Sequence, residues 1–213
     1  MVKNEQMQDF FLIRHGQTDW NAITRQFQGH TNIPLNETGR FQASSMIKIF
    51  DDLQITRLIS SDLIRAFETA EIMSQKKLPL EATPDLREVH LGKAEGLTRE
   101  QVADKFGVDF YPRWSSHAPS HQDLRFEGGE SRREVHTRID RILHHYLDLY
   151  PNDRLAFVSH GFAIQSLIYN VSDQNQAQFF VPNCAIAPFQ RSPQKKIHYI
   201  GPRTPEELLC PNG

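Results

Sequence analysis

The stretch Phe10-Phe11-Leu12-Ile13-Arg14-His15-Gly16-Gln17-Thr18 runs four apolar residues straight into an arginine, a histidine and a glycine. A short apolar run of this kind predicts a buried strand, and open α/β sheets place their ligands at the carboxyl ends of such strands. Residues 58–59 and 155–158 are two further apolar runs, each followed by polar residues and then by a helical pattern. Three amphipathic faces predict helices. They are formed by Ala43, Met46, Ile47 and Phe50, by Ala66, Thr69, Ala70 and Met73, and by Val135, Ile139, Ile142, Leu143 and Tyr146. Ser131 with Glu134, and Thr98 with Gln101, read as capping boxes at helix starts. This rhythm predicts an α/β chain: a mostly parallel sheet sandwiched by helices in three α/β/α layers.

A chain of 213 residues suits one large domain over residues 1–213, given roughly 150 residues per domain. Within it, residues 93–130 are expected to form a cap or lid insertion, and residues 201–213, with Pro202, Pro205 and Pro211, a loose tail. The stretch 107–129 contains Pro112, Trp114, His117, Pro119 and His121 without a sustained helical period, and reads as a long functional loop. Residues 184–190 and 196–200 are expected to pair as a hairpin across Ser192-Pro193, with Pro188 favouring an edge strand. Hydrophobic residues at 38%, charged residues at 23% and a mean hydropathy of −0.53 argue against disorder and against residence in a membrane. The net charge of −2, from 24 basic and 26 acidic residues, supplies no basic field for nucleic acid. Cys184 and Cys210 have neither zinc-site spacing nor a disulfide framework around them, and no export signal precedes residue 10, so a cytoplasmic location is expected.

Past the three apolar runs the polar residues agree with one another. The first run ends in RHGQT (residues 14–18), the second leads through SSDLIR to Arg65 in the opening turn of its helix, and the third ends in SHG, with His160 before Gly161. Two arginines and two histidines thus converge on one rim, which suits a phosphoryl group. An arginine fork binds two phosphate oxygens and keeps its charge. An imidazole whose other nitrogen is held by a hydrogen bond is a competent nucleophile near neutrality. Gly16 and Gly161 let backbone amides approach the same oxygens at helix N-termini. A single histidine at a strand end is more often a satisfied core residue, so the combination carries the argument.

That combination resembles the histidine phosphatase superfamily, also called the phosphoglycerate mutase-like family. RHGQTDWN (14–21) is similar to its signature; QG (28–29), PLNETG (34–39), SSDLIRAFETA (60–70), LREVHLGKAEG (86–96), GGES (128–131) and SHG (159–161) follow in the family's order. The resemblance implies a phosphohistidine mechanism with His15 as nucleophile and with Arg14, Arg65 and His160 as the phosphate pocket. Thr18, Asn21, Gln28, Gly29 and Gly161 are the implied substrate-binding neighbours. A small phosphomonoester is the expected partner, with a homodimer as a possible assembly. Because the two arginines and two histidines supply the positive charge, neither metal nor cofactor is expected.

A poor alkoxide leaving group also needs a proton. Among the nearby carboxylates Asp85, Glu88 and Glu95 all qualify from the residues alone; the resemblance implies Glu88. Cofactor-dependent mutases similar to this family carry ERHYG and an extended insertion, whereas this chain has Glu88-Val89-His90-Leu91-Gly92 and a short connection to Gly128, which favours a phosphatase. A mutase and a non-catalytic phosphate-binding scaffold are the alternatives. After SHG the family commonly has a small residue and then an arginine; here Phe162 and Gln165 stand instead, a difference that bears on substrate choice. His117 and His121 flank Pro119, which spoils a metal-binding helix face, and the adjacent His144 and His145 read as surface residues.

Overall fold

The computed structural model describes residues 7–116, 118–172 and 180–201. The apolar run at 10–13 becomes β1 (Gln8–Arg14), and the other two become β2 (Arg57–Ser61) and β4 (Leu155–Ser159). With β3 (Leu80–Thr83), β5 (Ile186–Arg191) and β6 (Ile197–Tyr199) they form one sheet in the order β3-β2-β4-β1-β5-β6. The first four strands in that order are parallel, and β5 and β6 join antiparallel.

Successive side chains of a strand point to opposite faces, and β1 shows the consequence. Phe10 and Leu12 enter a core with residues of α7 (Arg132–Leu149) and α8 (Gly161–Val171). Phe11 and Ile13 enter a second core with α2 (Glu37–Ser45) and α4 (Ile64–Met73). A strand coated on both faces has to be apolar throughout, which is why its run is continuous and does not alternate. The three-layer α/β/α expectation therefore holds.

Both expected capping boxes are present, with Thr98 opening α5 (Arg99–Phe106) and Ser131 opening α7. Three expectations need correction. The face at residues 43–50 belongs to two helices, because α2 stops at Ser45 and α3 (Ile47–Asp52) starts afresh. Ser44 and Ser45 donate their hydroxyls to the carbonyls of Arg40 and Phe41, side-chain bonds that compete with the helix ladder where it breaks. The stretch 107–129 contains a short helix, α6 (Phe110–Ser115), in which Pro112 is tolerated because the first turn requires no N–H partner. Pro188 lies in β5 between β1 and β6, not at an edge. Its carbonyl accepts from Ile200 just beyond the end of β6, so the missing N–H breaks no ladder bond.

The hairpin pairs Phe189 with Tyr199 and Arg191 with Ile197. Within the expected insertion, Trp114 and Phe126 are buried in the first core, while Arg125 is exposed and pairs with Glu134. No helix among the described residues is long and apolar enough to cross a membrane. The expected tail beyond residue 201 lies outside the described residues.

Candidate active site

The carboxyl ends of β1, β2 and β4 meet at one rim. His15, directly after β1, is buried, and its Nδ1 lies 2.7 Å from the carbonyl oxygen of Gly16. A carbonyl only accepts, so Nδ1 carries the proton and Nε2 keeps its lone pair. The loop is pinned from several sides. Gly16 N–H donates to Thr69 Oγ1 (3.0 Å), and the Thr69 hydroxyl donates to the Arg65 carbonyl (2.7 Å). Asn183 Nδ2 donates to the His15 carbonyl (2.8 Å), and Cys184 N–H to that of Arg14 (3.0 Å).

Arg65 sends Nη1 to the Thr31 carbonyl and Nη2 to the Gly29 carbonyl, both at 2.8 Å. Gly29 is required there: its φ is +49°, and a Cβ would sit 2.1 Å from Glu95 Oε1. Arg14 Nη1 donates to the Val181 carbonyl at 2.6 Å. The Nε atoms of both arginines are buried and find no acceptor among the described residues. His160 bonds Ser61 Oγ through Nε2 (2.9 Å), leaves Nδ1 buried without a partner among the described residues, and lies ring to ring with His15 at 5.0 Å. The two buried arginine Nε–H donors without acceptors carry a desolvation cost that a tetrahedral oxyanion would relieve.

Burial, followed by the charges of Arg65 and Arg14, drives His15 well below 6.5; burial, followed by Arg65, does the same to His160. Burial also lowers Arg65, to about 10, so it remains cationic at neutral pH. These shifts make stability depend on pH. The denatured chain protonates both histidines near 6.5, while the folded chain keeps them neutral to much lower pH. As pH falls through 6.5 the denatured state takes up protons that the native state refuses. Stability is then lost at up to roughly 1.4 kcal/mol per pH unit for each histidine. Urea midpoints are expected to drop between pH 7 and pH 5, less steeply in His15→Gln. Identical slopes for wild type and variant would contradict neutral burial of His15.

The rim opens on a cavity of about 300 Å³, whose wall includes Arg14, His15, Gln28, Gly29, Arg65 and Glu88. Glu88 accepts from Phe162 N–H (3.1 Å) and Ala163 N–H (3.0 Å), which seats its carboxylate on the N-terminus of α8. The rival carboxylates are engaged elsewhere and are not part of this wall. Asp85 pairs with Arg141, and Glu95 accepts from the N–H groups of His30 and Leu91. Gly161 also lines the cavity, where a Cβ would come 3.1 Å from Arg14 Nε. His160 is not part of the wall. Thr18 and Asn21 form the capping box of α1 (Asp19–Ala22), also outside it.

His117 lies outside the described residues, and His121 bonds Ser116 Oγ at 2.6 Å. The described residues contain no group of three or more histidine, cysteine or acidic side chains able to hold a metal ion. Burial raises the Cys184 thiol to about 12, so it is not a thiolate nucleophile.

One part of the site has no motif in the sequence. Arg138 of α7 donates to the carbonyls of Asp85 (2.7 Å), Arg87 (3.0 Å) and Glu88 (3.3 Å), and pairs with Glu130. His30 Nε2 adds a bond to the Glu88 carbonyl (2.8 Å), and Ser159 Oγ donates to that of Leu86 (2.8 Å). Arg87 forms a two-pronged pair with Asp62. The segment carrying Glu88 is thereby fixed from β2, β4 and α7 together. The only sequence trace of Arg138 is a charge beside the buried stripe of α7.

Known proteins resemble this chain over most of its length. The family model of the histidine phosphatase superfamily (branch 1) matches residues 10–197. "Phosphoglycerate mutase-like protein 4" of Arabidopsis thaliana is 37% identical over 163 residues, covering 75% of this chain and 69% of its own. "Uncharacterized phosphatase PhoE" of Bacillus subtilis (strain 168) is 33% identical, covering 76% of each chain. Among solved structures, a mycobacterial glucosyl-3-phosphoglycerate phosphatase in complex with VO3 superposes with a TM-score of 0.78 at 26% identity, over 90% of this chain and 96% of that one.

Proposed function

The chain belongs to the histidine phosphatase superfamily, and on that footing we propose that it is a phosphomonoesterase whose nucleophile is His15. The observation that carries the proposal is the Nδ1–Gly16 bond, which aims an unprotonated Nε2 into a cavity walled by two arginines. His15 Nε2 forms a bond to phosphorus, the ester P–O bond breaks, and Glu88 protonates the departing oxygen, which leaves as an alcohol. Water then attacks the phosphorus of phospho-His15 while Glu88 takes its proton. The P–N bond breaks, and phosphate departs with neutral His15 restored. Arg14 and Arg65 hold the equatorial oxygens through both steps, chiefly by position and charge, while neutral His160, outside the cavity wall, packs against the His15 ring.

The relative named as mutase-like supports a second reading, a phosphoglycerate mutase using the same residues. A panel of phosphomonoesters, assayed with and without 2,3-bisphosphoglycerate, separates the two. Release of inorganic phosphate without the bisphosphate is expected; interconversion of phosphoglycerates only in its presence would establish the mutase. Because the positive charge comes from Arg14 and Arg65, turnover is expected to survive exhaustive chelation with EDTA, and its loss with recovery on adding a divalent ion would overturn the proposal.

A further inference from the structure

Beyond the phosphate end the cavity wall changes character. Its aromatic lining consists of Phe27, Tyr111, Trp114, Phe162 and Phe180. Trp114 and Phe162 are stacked at 4.8 Å with 16° between their planes, and Phe27 lies 5.2 Å from Tyr111. The buried Arg132 covers Phe162 with its guanidinium 4.7 Å from the ring centroid, so the Trp114–Phe162 platform is backed and rigid.

The charges of the wall are few. Arg14 and Arg65 are the cations among its described residues, and both belong to the phosphate end. Glu88 is the one acid there, while Gln26 and Gln165 are polar and uncharged. Arg132 and Arg99 lie against the Phe162 and Tyr111 rings (4.7 and 4.5 Å) but are not part of the wall. A second anion on the substrate would therefore face Glu88 with no wall cation beyond the phosphate end, and a charge taken out of water without a partner is costly.

Resting on the phosphomonoesterase reading above, we infer that the cavity selects phosphomonoesters of apolar, uncharged alcohols, with a ring or short hydrocarbon group packed on Trp114 and Phe162. It selects against phosphate esters that carry a carboxylate. The volume of about 300 Å³, at the small end of ligand pockets, limits the group to a compact one. Burying a single ring in this way is worth roughly 10- to 100-fold in affinity.

Non-hydrolysable phosphonates test the pocket apart from the chemistry. Calorimetry on the purified full chain would compare methylphosphonate, phenethylphosphonate and 2-carboxyethylphosphonate. Phenethylphosphonate is expected to bind roughly 10- to 100-fold more tightly than methylphosphonate. The carboxyethyl compound is expected to bind no more tightly than methylphosphonate. Trp114→Ala, which also empties core volume behind the wall, should cut the phenethyl preference about tenfold with a lowered melting temperature, and Phe162→Leu, which keeps most of the volume, should cut it with a smaller loss of stability. Gln165→Arg, which adds a cation to the wall, should raise affinity for the carboxyethyl compound. Tighter wild-type binding of 2-carboxyethylphosphonate than of methylphosphonate, or a phenethyl preference untouched in both aromatic variants, overturns the inference. Hydrolysis of phenethyl phosphate in the same preparation tests the reaction itself. If the phosphonate order holds and no ester is hydrolysed, the phosphomonoesterase reading fails and the pocket's selectivity stands.

Discussion

His15→Ala is expected to lose turnover by roughly 10⁶-fold on every phosphomonoester, the scale seen when a covalent nucleophile is removed. The loss should not depend on the leaving group, because no leaving group replaces the atom that attacks. The geometry makes His15 hard to substitute. Nδ1 is committed to the Gly16 carbonyl, and His160, the neighbouring imidazole, has Nε2 committed to Ser61 and stands outside the cavity wall. A phosphoramidate on His15 is labile in acid and stable in base. Wild-type enzyme quenched in alkali after brief exposure to labelled substrate should therefore retain label, acid quenching should discharge it, and His15→Ala should carry none. Label that survives acid, or that persists in His15→Ala, would point to a serine, threonine or carboxylate nucleophile.

The parts of the site that rest on strand ends were legible because they follow from local pattern. Apolar residues 10–13 had to be buried on both faces, and this fixed where Arg14 and His15 emerge; the same logic placed Arg65 and His160. The rest depends on contacts distant in sequence. From the residues alone Glu88 could not be told from Asp85 or Glu95, since the distinction is which carboxylate reaches the N-terminus of α8, 74 and 75 positions away at Phe162 and Ala163. Arg138 reads as one more charge on a helix, although it gathers three carbonyls of the Glu88 segment. Thr18 and Asn21 form the capping box of α1 and are not among the cavity-wall residues, while Asn21 Nδ2 stays buried without a partner among the described residues, a detail no motif spells out. The break at Met46 and the interior position of Pro188 escaped for a related reason: periodicity and proline rules describe averages, while side-chain hydrogen bonds and the end of a neighbouring strand decide particular cases.

Glu88→Gln is expected to slow phosphorylation of the enzyme by an alkyl phosphate by roughly 10²- to 10⁴-fold, and by p-nitrophenyl phosphate much less. An alkoxide is too basic to depart without a proton, whereas p-nitrophenolate departs without one, so the value of the acid depends on the ester chosen. Glutamine keeps the size of the side chain, and its carbonyl oxygen can still accept from Phe162 or Ala163, so the seat on α8 is partly retained and loss of the proton is isolated from loss of position. Rapid-quench measurement of phosphoenzyme formation is needed, because Glu88 also serves as the base for water in the second step and steady-state rates would mix the two roles. For p-nitrophenyl phosphate this predicts a burst of nitrophenol close to the wild-type rate, then slow turnover as phospho-His15 accumulates. Arg138→Lys gives the positional control. It retains the charge beside Glu130 but loses the fork that spans the carbonyls of Asp85, Arg87 and Glu88, so it should slow both esters by a similar factor. Equal losses on the two esters in Glu88→Gln would remove Glu88 from the role of acid, since a merely positional defect does not distinguish a basic leaving group from an acidic one.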